Sequence, residues 1–193
     1  MKVTPLAIAD VLLIELKVYE DERGFFIARY QAEQFREYGL SIEFVQDNHS
    51  RSRPGVLRGL HFQHTPAQGK LVGVSHGRIW DVAVDIRADS PTYGQHVSAE
   101  LSDLNGRLLW VPAGFAHGFC VLGDEPADVL YKVDAPYNPR GEVGIAWDDP
   151  ELAVPWPITP SIVSARDVQA AISFADYRAN PFPWGAVEAS RAI

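Results

Sequence analysis

Arg58 and His61 lie three residues apart in Val56-Leu57-Arg58-Gly59-Leu60-His61-Phe62-Gln63, a run whose apolar residues read as buried β-strand. An imidazole changes charge near neutral pH and can take or return a proton, while a guanidinium presents forked donors that match phosphate or carboxylate oxygens. Together they offer proton transfer beside a bound anion. A histidine in an apolar run also serves as a hydrogen-bonded core residue, so the chemistry depends on what the rest of the chain brings to it. Arg58 is less easily absorbed, because a guanidinium in such a strand needs an anionic partner or an exit to solvent. Strand alternation puts Arg58 and His61 on opposite faces. If both serve one cavity, a bulge or sharp twist is expected near Gly59, where a glycine permits it.

The elements that position these residues are mostly short strands. The 193 residues, 47% hydrophobic, suffice for one packed domain spanning 1–193, with fourteen prolines and fifteen glycines spread between apolar runs of strand length. Residues 31–38 are strong helix formers ending at Gly39, a residue suited to a left-handed C-terminal cap. In residues 78–87, Trp80, Val82, Val84 and Ile86 alternate with Asp81, Ala83, Asp85 and Arg87, giving a strand with one apolar and one charged face. His76-Gly77 is expected to turn the chain into that strand, with residues 70–75 as its hairpin partner. Further strands are expected over 106–111, 118–122 and 128–133. Ser164-Ala165-Arg166-Asp167 reads as a capping box opening a C-terminal helical tail from about residue 164.

Composition narrows the partners. A net charge of −8 without a basic stripe argues against nucleic acid, and any anionic substrate must be met by a few placed cations. No apolar run approaches the roughly 20 residues of a membrane span, and the N-terminus lacks a signal-peptide profile. The single cysteine, Cys120, lies in an apolar run and fits a reducing cytoplasm as a small core residue.

The segment Val111-Pro112-Ala113-Gly114-Phe115-Ala116-His117-Gly118-Phe119 resembles the second motif of cupin jelly rolls. The expected fold is therefore mainly β, a cupin-type jelly-roll barrel or sandwich with short flanking helices. A cupin metal site also carries His-x-His followed by glutamate from an earlier hairpin. Here the nearest histidines, His61 and His64, have opposite strand parity and no glutamate follows closely, so no metal is expected. A metal-dependent cupin oxygenase or isomerase remains an alternative that elemental analysis would separate.

Beyond that motif the chain resembles the dTDP-4-dehydrorhamnose 3,5-epimerase family, metal-free cupins acting on nucleotide-linked 4-keto-6-deoxy sugars. The likeness runs from Asp21-Glu22-Arg23-Gly24-Phe25-Phe26 to about Asp167. In order it takes in Gln46-Asp47-Asn48, Leu57 to Gln63, Gln68-Gly69-Lys70-Leu71-Val72, Asp81-Val82-Ala83-Val84-Asp85, Pro112 to His117 and Tyr131-Lys132. Epimerisation beside a ketone requires a base, a donor to hold the developing enolate, and an acid on the opposite ring face.

The resemblance implies that His61 is the base, oriented by Asp167, that Lys70 lies near the sugar carbonyl, and that Tyr131 is the acid. It pairs Asp81 with His117 and makes Arg23 and Arg58 contacts of the diphosphate. Gln46 and Asn48 share one strand parity and can add amide donors. For Asp167, capping the helix and orienting His61 compete for one carboxylate; the dyad is the preferred use. No cofactor is implied, and a homodimer is. Three places depart from the family pattern: Ala28 stands where glutamate is common, the loop before Lys70 is one residue shorter, and Pro136 precedes Tyr137 where two aromatics often adjoin. Epimerisation at carbons 3 and 5 of a dTDP-4-keto-6-deoxyhexose is the leading expectation. Single-position epimerisation and a non-catalytic sugar-nucleotide-binding cupin are the alternatives.

Overall fold

Alternating apolar residues between glycine and proline breaks become fourteen strands among the described residues, and the computed structural model describes residues 1–182 and residue 184. In chain order these form β1 (Lys2–Pro5), β2 (Leu12–Glu15), β3 (Val18–Asp21), β4 (Gly24–Ile27), α1 (Ala32–Glu37), β5 (Gln46–Ser52), β6 (Val56–Gln63), β7 (Lys70–His76) and β8 (Arg78–Asp85). There follow β9 (His96–Ser102), β10 (Arg107–Val111), β11 (Phe115–Val121), β12 (Ala127–Val133), β13 (Glu142–Gly144), β14 (Ile162–Val163), α2 (Ala165–Gln169) and α3 (Phe174–Ala179). One sheet runs β1-β2-β10-β7-β12-β5; the other runs β13-β6-β11-β8-β9, with β14 added parallel to β6. The mainly β jelly-roll expectation holds.

The principal core lies between the sheets. Val72, Val74, Leu109 and Val129 from the first sheet meet Ile79, Ala83, Phe115 and Phe119 from the second. Each sheet is also covered on its outer side. Phe35 of α1 and Leu40 pack on Leu71, Leu108 and Trp110 of the first sheet, while Ile145, Leu152, Phe174 and Tyr177 cover Leu60, Phe62, Val82 and Val84 of the second. α1 ends as expected, with Gly39 at φ +80°.

One expectation changes. Residues 70–75 are not the hairpin partner of β8: β7 pairs with β10 and β12, and β8 with β9 and β11. Gly77, at φ +75°, takes the chain from one sheet to the other, and a Cβ there would stand 2.4 Å from the Pro126 carbonyl oxygen. A glycine turn signals reversal of the chain, but not which sheet receives it. The expected charged face of β8 is turned to an interior. Asp81 and Asp85 are both fully buried, and Asp85 is satisfied by Arg87, Ser90 and Thr92. With layers on both sides, alternation separates two interiors.

Candidate active site

Val56 packs on the inner core, whereas Leu60 and Phe62 belong to the outer layer, so β6 reverses its alternation between them. Opposite His117 and Phe119 of β11 stand His61 and Arg58, a step of three residues in β6 against two in β11. This is the bulge expected near Gly59. Gly59 sits at φ +126°, and a Cβ there would lie 2.5 Å from the Gly118 Cα, so only glycine fits. The extra residue turns both Arg58 and His61 to the inner face.

His61 Nε2 lies 2.6 Å from Asp167 Oδ1. The helix cap and the dyad do not compete: the Ser164 hydroxyl accepts the Asp167 backbone N–H at 3.1 Å, which leaves the carboxylate free for the imidazole. Burial alone would raise the Asp167 carboxyl, but the hydrogen bond and charge of His61, with Ser164 and the Gly59 N–H, hold it below its ordinary value. When the Nε2 proton faces Asp167, Nδ1 carries the lone pair that can accept a proton. A second dyad lies alongside, with His117 Nε2 2.6 Å from Asp81 Oδ1, both buried. His61 and His117 are direct cross-strand neighbours.

The opposite sheet supplies the other groups. On β7, Lys70 shares the inner row with Val72 and Val74; its ammonium donates to the His61 carbonyl oxygen at 3.3 Å, reaching across the interior. Burial lowers Lys70 to about 8, against the opposing pull of Glu142 and Asp81. Tyr131 packs on the inner core from β12, beside Asn48 and Val72. Its phenol is raised by burial and by Glu142, and Arg58 draws it partly back. Arg58 donates to the Ser52 hydroxyl at 2.9 Å, and Gln46 donates to the Asn48 side-chain oxygen at 2.7 Å.

The structure thus brings His61, Asp167, Lys70, Tyr131, Arg58, Asp81, His117, Gln46 and Asn48 to the barrel interior and its mouth. Arg23 is not among them. It sits in the exposed turn of the β3–β4 hairpin, which joins neither large sheet, with its guanidinium and backbone N–H on Asp21.

Three residues given no site role by the sequence, Glu142, Tyr137 and Arg166, belong to this mouth. Glu142, paired with Gln63 through β13, accepts from the Tyr137 hydroxyl at 3.0 Å and from Arg166 at 2.6 Å. The position of Arg166, directly before Asp167, was the one available signal; nothing local marks Glu142. Among the described residues no group of three or more histidine, cysteine, aspartate or glutamate side chains is placed to hold a metal ion. Nor is any helix among them long and apolar enough to cross a membrane.

The sequence model of the dTDP-4-dehydrorhamnose 3,5-epimerase family matches residues 5–176. The chain is 51% identical to the dTDP-4-dehydrorhamnose 3,5-epimerase of Pseudomonas aeruginosa over 95% of its own length and 100% of that protein. It is 38% identical to a dTDP-4-dehydrorhamnose 3-epimerase of Streptomyces niveus, over 89% of this chain and 84% of that one. The crystal structure of the dTDP-6-deoxy-D-glucose-3,5-epimerase of Legionella pneumophila with dTDP-4-keto-L-rhamnose superposes with a TM-score of 0.89 at 45% identity, covering 96% of this chain and 98% of that one. This chain thus shares its cupin-like β fold with that epimerase, and the motifs of the site fall inside the matched span. On both grounds the chain belongs to the dTDP-4-dehydrorhamnose 3,5-epimerase family.

Proposed function

We propose that the chain epimerises a dTDP-linked 4-keto-6-deoxyhexose at carbons 3 and 5, next to the carbon 4 ketone, with His61 as base and Tyr131 as acid. The observation that carries this reading is their placement on opposite sheets. A sugar ring held between them has a base on one face and a proton donor on the other, the arrangement that inversion requires. The Lys70 ammonium, near the base, would hold the enolate oxygen, and Asp167 keeps the His61 ring oriented and stabilises its charged form. His117 and Asp81 form the buried pair beside His61. The test is NMR of a dTDP-4-keto-6-deoxyglucose reaction in deuterated water, with enzyme-dependent deuterium expected at both carbons. Exchange at neither carbon, with binding confirmed by calorimetry, overturns the reading. The 38% identity to a 3-epimerase supports one second reading, in which deuterium enters at carbon 3 alone.

Lys70 sets an expected pH limit. Its folded pKa is lowered to about 8, so the ammonium that stabilises an enolate is lost as pH rises through about 8. We expect kcat/KM to fall roughly tenfold per pH unit above that point, because this ratio reports the free enzyme. Lys70→Arg, slower in itself, should lose that alkaline limb. A limb that stays at the same pH in the variant assigns it to another group.

Substrate affinity rests largely on the diphosphate, and Arg58, already fixed by Ser52 at the mouth, is the cation placed for it. Arg58→Lys keeps the charge but loses the fork, so calorimetry should find dTDP binding weakened by roughly tenfold. Unchanged affinity in a folded variant removes Arg58 from the diphosphate. Gln46 and Asn48 complete the proposed nucleotide contacts, and Arg23, paired with Asp21 on the exposed hairpin, stands apart from them.

We further read the chain as a cytoplasmic homodimer without a cofactor or a nucleic-acid or membrane partner. The β3–β4 hairpin exposes Phe25 at 57% and Phe26 at 67%, an aromatic surface suited to a second copy. Residues 1–193 are taken as one functional domain, of which residues 183 and 185–193 lie outside the described residues.

A further inference from the structure

Gln63 is the last residue of β6, two positions beyond His61 and on the same inner row, and it is 2% exposed. A buried carboxamide must satisfy both its donors and its acceptor. All three are engaged with loops rather than with strands. Gln63 Nε2 donates to the Pro66 and Pro136 carbonyl oxygens at 2.8 and 3.0 Å, and its Oε1 accepts the Asn138 backbone N–H at 2.7 Å. The residue between Pro136 and Asn138 is Tyr137, and its own N–H donates to Gln46 Oε1 at 3.0 Å. Both peptide groups flanking Tyr137 are therefore held by side-chain amides.

Such anchoring is unusual for a surface loop, whose backbone groups ordinarily turn to water. Here it fixes a tyrosine whose ring is half-exposed and whose hydroxyl bonds to Glu142. Glu142 is itself the strand partner of Gln63, and Tyr137 and Glu142 both act electrostatically on Tyr131. We infer that Gln63 is a positioning residue: its carboxamide couples the strand of the base to the loop of Tyr137, so that the Tyr137 ring stands as a preformed wall of the sugar pocket on the side of Tyr131. The inference rests on the epimerase reading. A wall of this kind acts on capture of the sugar more than on the proton transfers, because a preformed loop removes the ordering cost of binding.

The test is a double-mutant cycle with Gln63→Met, which keeps length and volume while removing every hydrogen bond, and Tyr137→Ala, which removes the wall. With wild type active, Gln63→Met should raise KM by about tenfold with kcat changed less than about threefold, the pattern of lost substrate binding. In the Tyr137→Ala background the same change should raise KM less than about twofold, since the group it positions is gone. An equal KM effect in both backgrounds, a loss confined to kcat, or no effect overturns the inference. Should Gln63→Met fail to fold, Gln63→Glu replaces it in the cycle. Its carboxylate faces two carbonyl oxygens, so KM should be raised at high pH and fall toward the wild-type value as the carboxyl protonates, and a pH-independent KM overturns the inference. Absence of epimerisation in wild type itself would instead overturn the activity assignment, which separates the two failures.

Discussion

His61→Asn should abolish deuterium incorporation at both sugar carbons, a loss of at least about 10²-fold and up to about 10⁴-fold, the range of general-base help. Affinity for the nucleotide should stay within a few-fold, because the diphosphate is assigned to Arg58 at the mouth rather than to the dyad. Asparagine is the informative replacement. It removes the titrating imidazole and keeps a polar amide, although that amide ends at the place of ring Nδ1 and stops short of the buried Asp167 carboxylate that Nε2 meets at 2.6 Å. His61→Gln, whose amide reaches the place of Nε2, keeps the Asp167 carboxylate paired and is the control for an unpaired buried charge. Exchange by NMR and affinity by calorimetry on the same preparation check the result. A large affinity loss with exchange retained at saturating substrate would make His61 a binding residue.

Tyr131→Phe should separate two events that wild type performs together. His61 can remove a proton and return a solvent-derived one to the same face without Tyr131, so exchange with retained configuration should stay measurable. Inverted product should fall by a factor on the order of 10² or more, because the proton on the far face comes from the other sheet. The phenol suits proton donation because burial and Glu142 hold its pKa above the ordinary value, which keeps it protonated at neutral pH. Product stereochemistry and isotope content, read in one reaction, decide the outcome. Inversion at the wild-type rate would leave Tyr131 a packing residue. Loss of exchange and inversion together in a folded variant would place it in proton removal or enolate stabilisation.

The bulge at Gly59 was legible in the sequence because two chemical demands conflicted with strand alternation and a glycine stood between them. The cap at Ser164 was legible for a similar local reason, since hydroxyl, spacing and backbone donor lie within four residues. What could not be read was that cap and dyad use different atoms of Asp167. The sequence shows one residue, whereas the structure shows a backbone N–H turned to Ser164 and a carboxylate turned to His61. Glu142 was missed altogether. Its significance comes from Tyr137, Arg166 and Gln63 converging on one short strand, and no window of the sequence contains all four.

By itself, then, the sequence determined strand periodicity, the turn and cap residues, and through the order of its motifs the family and the side chains proposed for proton transfer and phosphate binding. These depend on neighbours a few residues away, where backbone sterics and side-chain spacing act directly. Tertiary structure alone decided that β7 and β8 part company at Gly77, that the charged row of β8 faces an interior, and that His61 and Tyr131 stand on opposite sheets. Those outcomes depend on which apolar faces cover one another. Burial of apolar surface is non-directional and sums over the whole chain, so it selects the partner of a face only when all the layers are assembled.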